Sequence, residues 1–128
     1  MNGFLLVALG GALGASCRYG AGLAASRFTQ APGLYATLFV NVLGSALIGA
    51  LMAWLTLREQ NALTNALFLF CGVGLLGGFT TFSAFSLEVV HAINEGRYVQ
   101  SGTYILASLI GGICALMLSF ALMKRILA

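Results

Sequence analysis

Four long runs without a charged residue dominate this chain of 128 residues. They cover residues 1–17, 28–57, 60–87 and 98–123. A helix needs about 20 apolar residues to cross the hydrocarbon core of a bilayer. Three of the runs exceed that length, and the first reaches it only by continuing past Arg18. Four spanning helices therefore use nearly the whole chain, and we expect a single four-helix transmembrane domain over residues 1–128.

The composition supports an all-α membrane protein and argues against several other classes. Hydrophobic residues make up 60% of the chain and charged residues only 7%, whereas soluble domains carry about 25% charged residues. The net charge of +3 is spread thinly and forms no basic cluster for nucleic acid. The single histidine has no Ser/His/Asp grouping, nucleotide loop or metal-ligand spacing around it, so the sequence predicts no enzyme.

The boundaries of the four helices follow from these runs. The first run lacks the positive residues of a cleavable signal, so we interpret it as a permanent span. Glycines on every span predict close helix packing, because small residues let backbones approach one another. The predicted helices cover residues 3–24, 34–57, 62–93 and 98–125.

Positively charged residues favour cytoplasmic loops. In this chain lysine and arginine are distributed almost equally over the two ends of the spans, so they predict no single orientation. With the N-terminus inside, Arg58, Lys124 and Arg125 would be internal and Arg27 and Arg97 external, with Arg18 near a helix end. A chain with so little bias can insert both ways and form an antiparallel, dual-topology homodimer, or its few charges balance by chance. Four helices packed at native density enclose no lumen, so we expect any transport pathway to lie between two subunits.

The third span contains the most unusual segment of the chain. Residues 72–86 read GVGLLGGFTTFSAFS, and glycine inside a helix costs about 1 kcal/mol relative to alanine. We expect this helix to break near its middle, between Gly77 and Thr80. Backbone groups opened in lipid must find new partners, and carbonyls freed in two subunits could converge on a monovalent cation.

Two phenylalanines follow the predicted break. Phe82 and Phe85 are three residues apart, which places them on one helix face. An aromatic ring has a positive edge, so two ring edges could stabilise an anion without a full charge. Packing against lipid or neighbouring helices is the alternative, and it is favoured for the two rings taken alone.

Polar side chains within the spans are the other candidates. Asn41 lies near the middle of the second span, where an amide must hydrogen-bond; a bond to an anion and a bond between helices are equally good explanations. Hydroxyls could line a polar track, although such groups also bond the preceding turn of their own helix. The hydroxyl candidates are Thr80, Thr81, Ser83, Ser86, Tyr104 and Ser108.

Two charged residues lie within or beside the spans. Glu88, two turns beyond the break, is interpreted as a proton carrier, a cation ligand or a vestibule residue. Arg18 is the corresponding basic residue, which either draws anions to an entrance or extends to the headgroups.

These features together resemble the CrcB/Fluc fluoride channels along essentially the whole chain. The likeness is carried by the chain length, the four spans and three segments. The segments are GGFTTFSAFS at 77–86, NVLGS at 41–45, and GGALGA at 10–15 followed by Arg18 and Tyr19.

The resemblance implies a dual-topology homodimer in the cell inner (plasma) membrane, with two fluoride pores and a structural sodium ion at the dimer centre. It implies passive export of cytoplasmic fluoride, and hence fluoride resistance. Phe82, Phe85 and Asn41 match the pore residues, and Tyr104 and Ser108 match the polar track, to which we also assign Thr81 and Ser83 from their position beside the break. The backbone carbonyls of Gly77 and Thr80 match the sodium ligands, and Arg18 matches the vestibule arginine. We assign Glu88 to the same vestibule because it lies near His91 and the loop. Gly111 and Gly112 stand where the track would need a further hydroxyl.

Two other classes fit less well. A small proton-coupled multidrug exporter also has four short helices, but it needs a carboxylate deep in the first span, and this chain has none there. An assembly subunit without a pathway would leave the combination of residues 77–86 with Asn41 unexplained.

Overall fold

The computed structural model describes residues 2–29 and 31–127, and over these ranges the chain is helical with no strand. Four segments are long and apolar enough to cross a membrane, as predicted. The third span, Ala62–Asn94, is built from several elements and the other three are single helices. The elements are α1 (Gly3–Ala25), α2 (Pro32–Thr56), α3 (Ala62–Leu67), a π-helix (Phe68–Leu76), α4 (Gly77–Phe79), α5 (Phe82–Asn94) and α6 (Tyr98–Leu127).

The third span starts at a well-formed cap. Asn61 Oδ1 accepts hydrogen bonds from the N–H groups of Leu63 (2.9 Å) and Thr64 (3.0 Å), and Thr64 Oγ1 accepts one from Asn61 N–H (2.9 Å). This reciprocal pair is a capping box, which satisfies donors that the first helical turn leaves free. The connection from α5 to α6 turns at Gly96, whose φ of +74° favours glycine.

The third span is interrupted at Thr80 and Thr81. Thr80 has φ −81° and ψ 158°, and Thr81 has φ −154° and ψ 123°, so two extended residues separate α4 from α5. The interruption follows the paired glycines, in the region where the sequence predicts a break. The π-helix before it is not predicted by the sequence.

Glycines set the packing of α1 against the third span. A Cβ built on Gly10 would lie 2.9 Å from the nitrogen of Leu75, and one on Gly14 would lie 2.7 Å from the nitrogen of Phe79. A carbon at these distances from backbone atoms would force the two segments apart. The backbones of α1 and of the π-helix with α4 therefore touch directly.

The other main contact is between α2 and α6. The two helices run in the same direction, because residues 42, 45 and 49 of α2 face residues 111, 112 and 116 of α6 in that order. A Cβ on Gly111 would lie 3.3 Å from a Val42 methyl carbon, and one on Gly112 would lie 3.3 Å from Ser45 Oγ. Gly111 and Gly112 thus face α2, and the hydroxyl of Ser45 lies opposite the place where α6 lacks one. Most of the apolar surface of α6 stays outside the protomer core, where lipid or a second subunit can cover it.

Candidate functional site

The interruption of the third span is held by one side chain of α2. Thr81 N–H donates to Asn41 Oδ1 (2.8 Å), and Asn41 Nδ2 donates to the Thr81 carbonyl (3.0 Å). The amide therefore satisfies both backbone groups of Thr81, much as a neighbouring strand would. The interhelical bond expected as one explanation of Asn41 is present, and the second N–H of the same amide is not used by it.

The hydrogen bonds made at the break release two backbone carbonyls. In a continuous α-helix the Gly77 carbonyl would accept from Thr81 N–H, but that donor is bonded to Asn41. The Thr80 carbonyl would accept from Ala84 N–H, which instead donates to Thr81 Oγ1 (3.2 Å). The carbonyls of Gly77 and Thr80, predicted as cation ligands, thus both lose their α-helical donors.

A third carbonyl of the break has a charged donor. Arg18 Nε on α1 donates to the Gly78 carbonyl at 3.2 Å. The arginine is half-buried, and it contacts the third span at the interruption. Its vestibule role, implied by the resemblance, stays a prediction.

An open cleft of about 300 Å³ lies beside the break, between α2 and the third span. Gly44 forms part of its wall, where a Cβ would collide with the Thr80 methyl group. The cleft opens on the surface of the protomer, so its polar groups are reachable from outside this chain. Its lining includes Asn41, Gly44, Ser45, Gly77, Thr80, Thr81 and Phe82.

The two phenylalanines are neighbours in different surroundings. Their ring centroids are 5.6 Å apart and the planes are tilted by 44°. Phe82 lines the cleft and is 75% exposed, whereas Phe85 is 8% exposed and packs against Tyr104, with ring centroids 5.2 Å apart and planes tilted by 50°. Phe85 is therefore covered by its own protomer, whereas Phe82 is free to meet a partner, lipid or an ion.

Glu88 joins three spans through two short hydrogen bonds. Thr37 Oγ1 on α2 donates to Glu88 Oε1 (2.8 Å), and Tyr104 OH on α6 donates to Glu88 Oε2 (2.6 Å). A Cβ on Gly33 would lie 2.8 Å from Glu88 Oε1, so glycine makes room for the carboxylate. A second cleft of about 250 Å³ lies here, at the loop end of α5, and is lined by Glu88 together with His91 and Arg97. A vestibule position, one of the three interpretations of Glu88, stays a prediction.

The hydroxyl groups of Thr80, Thr81, Ser83, Ser86 and Ser108 fall into three groups. Thr80 Oγ1 donates to the Leu76 carbonyl (3.0 Å) and Ser86 Oγ to the Phe82 carbonyl (2.9 Å), so both bond the preceding turn. Thr81 Oγ1 and Ser83 Oγ lie 3.2 Å apart at the start of α5. Ser108 Oγ is buried without a hydrogen-bond partner among the described residues. Such a group retains an unused donor.

Three residues of the site were not singled out from the sequence: Thr37, Ser45 and Gly78. Thr37 and Ser45 lie four residues on either side of Asn41, which places all three on one face of α2. That spacing of polar residues within an apolar helix is the signal that identifies them. Gly78 belongs to the predicted break, but the sequence gives its carbonyl no separate role, because its partner Arg18 lies on another span.

Comparison with known proteins identifies one family and several relatives that share one name. A family model described as "CrcB-like protein, Camphor Resistance (CrcB)" matches residues 5–120. A Hyphomonas neptunium protein named "Fluoride-specific ion channel FluC" is 48% identical over 128 residues, covering all of both chains. Proteins of the same name from Caulobacter sp. strain K31 and Gloeobacter violaceus are 44% identical over 126 residues and 45% identical over 113 residues. These alignments cover 98% and 87% of each chain, respectively.

Proposed function

Because this chain belongs to the CrcB-like family, we propose that it is a fluoride-selective channel that lets cytoplasmic fluoride leave the cell passively. The observation that carries the proposal is the interruption at Thr80 and Thr81, held open by Asn41. It gathers neutral hydrogen-bond donors, an exposed aromatic ring and free carbonyls in one cleft. The relatives named as fluoride-specific channels support fluoride as the ion.

The conducting unit is an antiparallel homodimer of two oppositely inserted copies. Phe82 and Gly77 are exposed on a single protomer, and the cleft beside them has no wall on its outer side. A second copy would supply that wall and bury Phe82. The two copies together would enclose two equivalent pathways along the interface. The near-equal distribution of positive charge over the two ends of the spans suits insertion in both orientations.

A structural sodium ion at the dimer centre would be held by the carbonyls of Gly77 and Thr80 from both protomers. These oxygens fit such an ion because they lack α-helical donors and lie beside an open cleft. Neutral oxygens suit a monovalent cation, since no carboxylate is needed to balance a second charge. Among the described residues there is also no cluster of His, Cys, Asp and Glu that would favour a transition metal. When bound, the ion would join the two broken spans and add positive charge beside the pores.

The pore residues replace the water around fluoride with weak donors. The second N–H of Asn41, the unpaired hydroxyl of Ser108 and the pair formed by Thr81 and Ser83 are available donors. Phe82 and Phe85 contribute ring edges, which attract an anion without trapping it as a buried ammonium would. Tyr104 continues the track to Glu88 at the vestibule.

Fluoride efflux from liposomes tests this function. Purified protein should release trapped fluoride rapidly, as read by a fluoride electrode, while trapped chloride stays inside. Phe82→Ile should reduce the flux strongly, whereas the matched change Phe4→Ile should not, because Phe4 is 86% exposed at the far end of α1. Release no faster than from empty vesicles would reject the function. Equal flux in the two variants would reject the role of Phe82.

A further inference from the structure

We propose that Arg18 is a positioning residue of the break. Its Nε–H holds the Gly78 carbonyl against α1 and so determines which carbonyls of the interruption remain open. The resemblance to the CrcB/Fluc channels implies a different role for this residue, in a vestibule that draws anions to an entrance. The inference rests on the proposed function for its flux measurement and is independent of it for its spectroscopic measurement.

The hydrogen bond lies at the centre of the interruption. Arg18 Nε is 3.2 Å from the Gly78 carbonyl, across 60 positions in the sequence. Gly78 lies between Gly77 and Thr80, whose carbonyls have lost their α-helical donors. In a continuous α-helix the Gly78 carbonyl would accept from the N–H of Phe82. The extended residues Thr80 and Thr81 separate these two groups. Arg18 thus binds the Gly78 carbonyl, whereas the carbonyls of Gly77 and Thr80 are left without their α-helical donors.

The packing of α1 leaves the arginine little freedom. A Cβ on Gly78 would lie 2.6 Å from the Gly11 carbonyl oxygen, and one on Gly14 would lie 2.7 Å from the nitrogen of Phe79. Gly11, Gly14 and Arg18 lie on one face of α1. The backbone of α1 is therefore fixed against α4 one turn before Arg18, and the guanidinium is carried to the Gly78 carbonyl by a rigid contact.

The charge of Arg18 has no carboxylate partner that would explain its position. Over residues 2–29 and 31–127 the one ion pair joins Arg97 to Glu95, in the loop before α6. A half-buried guanidinium beside a free carbonyl makes a charge-assisted hydrogen bond, which is stronger than one between neutral groups. The carbonyl is the partner that the structure provides.

The donor and the charge of Arg18 can be separated by substitution. The Nε atom of arginine and the Nε2 atom of glutamine are both attached to Cδ, so Arg18→Gln keeps an N–H donor at the same reach without the charge. Arg18→Lys keeps the charge, but its nitrogen lies one bond further along. Arg18→Met removes both and retains most of the apolar stem. If Arg18 positions the carbonyl, glutamine should preserve the fluoride flux better than lysine. If Arg18 collects anions, lysine should preserve it better than glutamine.

The first measurement is the fluoride flux of the three variants at equal protein density. We expect Arg18→Lys and Arg18→Met to lower the flux about tenfold, as loss of a hydrogen bond from a charged group implies, and Arg18→Gln to lower it at most about threefold, because a neutral hydrogen bond is kept. Flux retained in the lysine variant and lost in the glutamine variant would overturn the proposal in favour of anion collection. Equal flux in all three would also overturn it.

The second measurement reads the hydrogen bond itself. In protein labelled with carbonyl-¹³C glycine and ¹⁵N phenylalanine, a carbon–nitrogen filter retains only the signals of glycine carbonyls that are bonded to a phenylalanine nitrogen. In this sequence these are the carbonyls of Gly3, before Phe4, and Gly78, before Phe79. The Gly78 carbonyl resonance should move in Arg18→Met and stay close to its native position in Arg18→Gln, with Gly3 as an internal control. In the native protein this carbon should also show a dipolar coupling to an arginine Nε, so the proposal stays testable if a variant fails to fold. An unmoved Gly78 resonance or an absent coupling would overturn the proposal. A native protein without fluoride flux would reject the proposed function and leave this result interpretable.

Discussion

Replacing Asn41 with alanine removes the side chain that holds the break open. Both backbone groups of Thr81 lose their partner in Asn41→Ala, because the 2.8 Å and 3.0 Å bonds to that amide are lost together. We expect the segment around Thr80 and Thr81 to open to solvent or to rearrange, and fluoride flux to fall with it.

The size of the effect on exchange follows from the Thr81 N–H losing its acceptor. A donor left without its partner at a partly buried site costs about 1–3 kcal/mol, and every 1.4 kcal/mol is a factor of about ten. Hydrogen exchange of the Thr81 amide should therefore accelerate about 5- to 140-fold in the alanine variant.

Amide exchange followed by nuclear magnetic resonance in micelles measures this directly. Ser45→Ala is the matched control, since Ser45 lies one turn further along the same face of α2 and also lines the cleft. Its substitution should leave Thr81 exchange within about twofold of native, because the Thr81 hydrogen bonds are unchanged. Unchanged Thr81 protection in Asn41→Ala would refute the claim that this amide holds the interruption.

The remaining predictions concern packing and the polar cluster. Gly14→Ala should destabilise the protein by about 1–3 kcal/mol, because its methyl group would collide with the third span. Gly20→Ala has open space at its Cβ and should leave stability unchanged or raise it by up to about 1 kcal/mol; a lower thermal unfolding midpoint for Gly20→Ala than for Gly14→Ala would contradict this packing. Tyr104→Phe and Thr37→Val should each cost about 1–3 kcal/mol by removing one donor from Glu88. Their effects on unfolding should be non-additive in the double variant, since both donors serve one carboxylate, and strict additivity would show that the two bonds are independent.

The sequence determines the four spans because their signal is local. Uninterrupted apolar runs predicted helices whose ends differ from the structure by at most two residues, as in 34–57 against Pro32–Thr56 and 98–125 against Tyr98–Leu127. The position of the interruption was also predicted, since paired glycines and hydroxyls weaken a helix through their own properties.

Other features depend on contacts between spans and are therefore not readable from one segment. The π-helix at Phe68–Leu76 lies where α1 touches the backbone of the third span, and no periodicity within residues 68–76 indicates it. The cluster of Thr37, Glu88 and Tyr104 forms only where three spans place these side chains at the same depth along the bundle axis. Phe82 and Phe85 were expected on one face, but only the position of Tyr104 explains why one ring is covered and the other is exposed.

In the proposed channel, the interrupted third span holds a cation through its free carbonyls and presents an aromatic ring to an anion. A density map of the protein in a bilayer, recorded in sodium fluoride, would reveal this arrangement. We expect two antiparallel copies, a central ion contacted by Gly77 and Thr80 of both, and Phe82 enclosed at the interface beside an anion. An unbroken helix through residues 77–86, with the Phe82 ring among acyl chains, would contradict it.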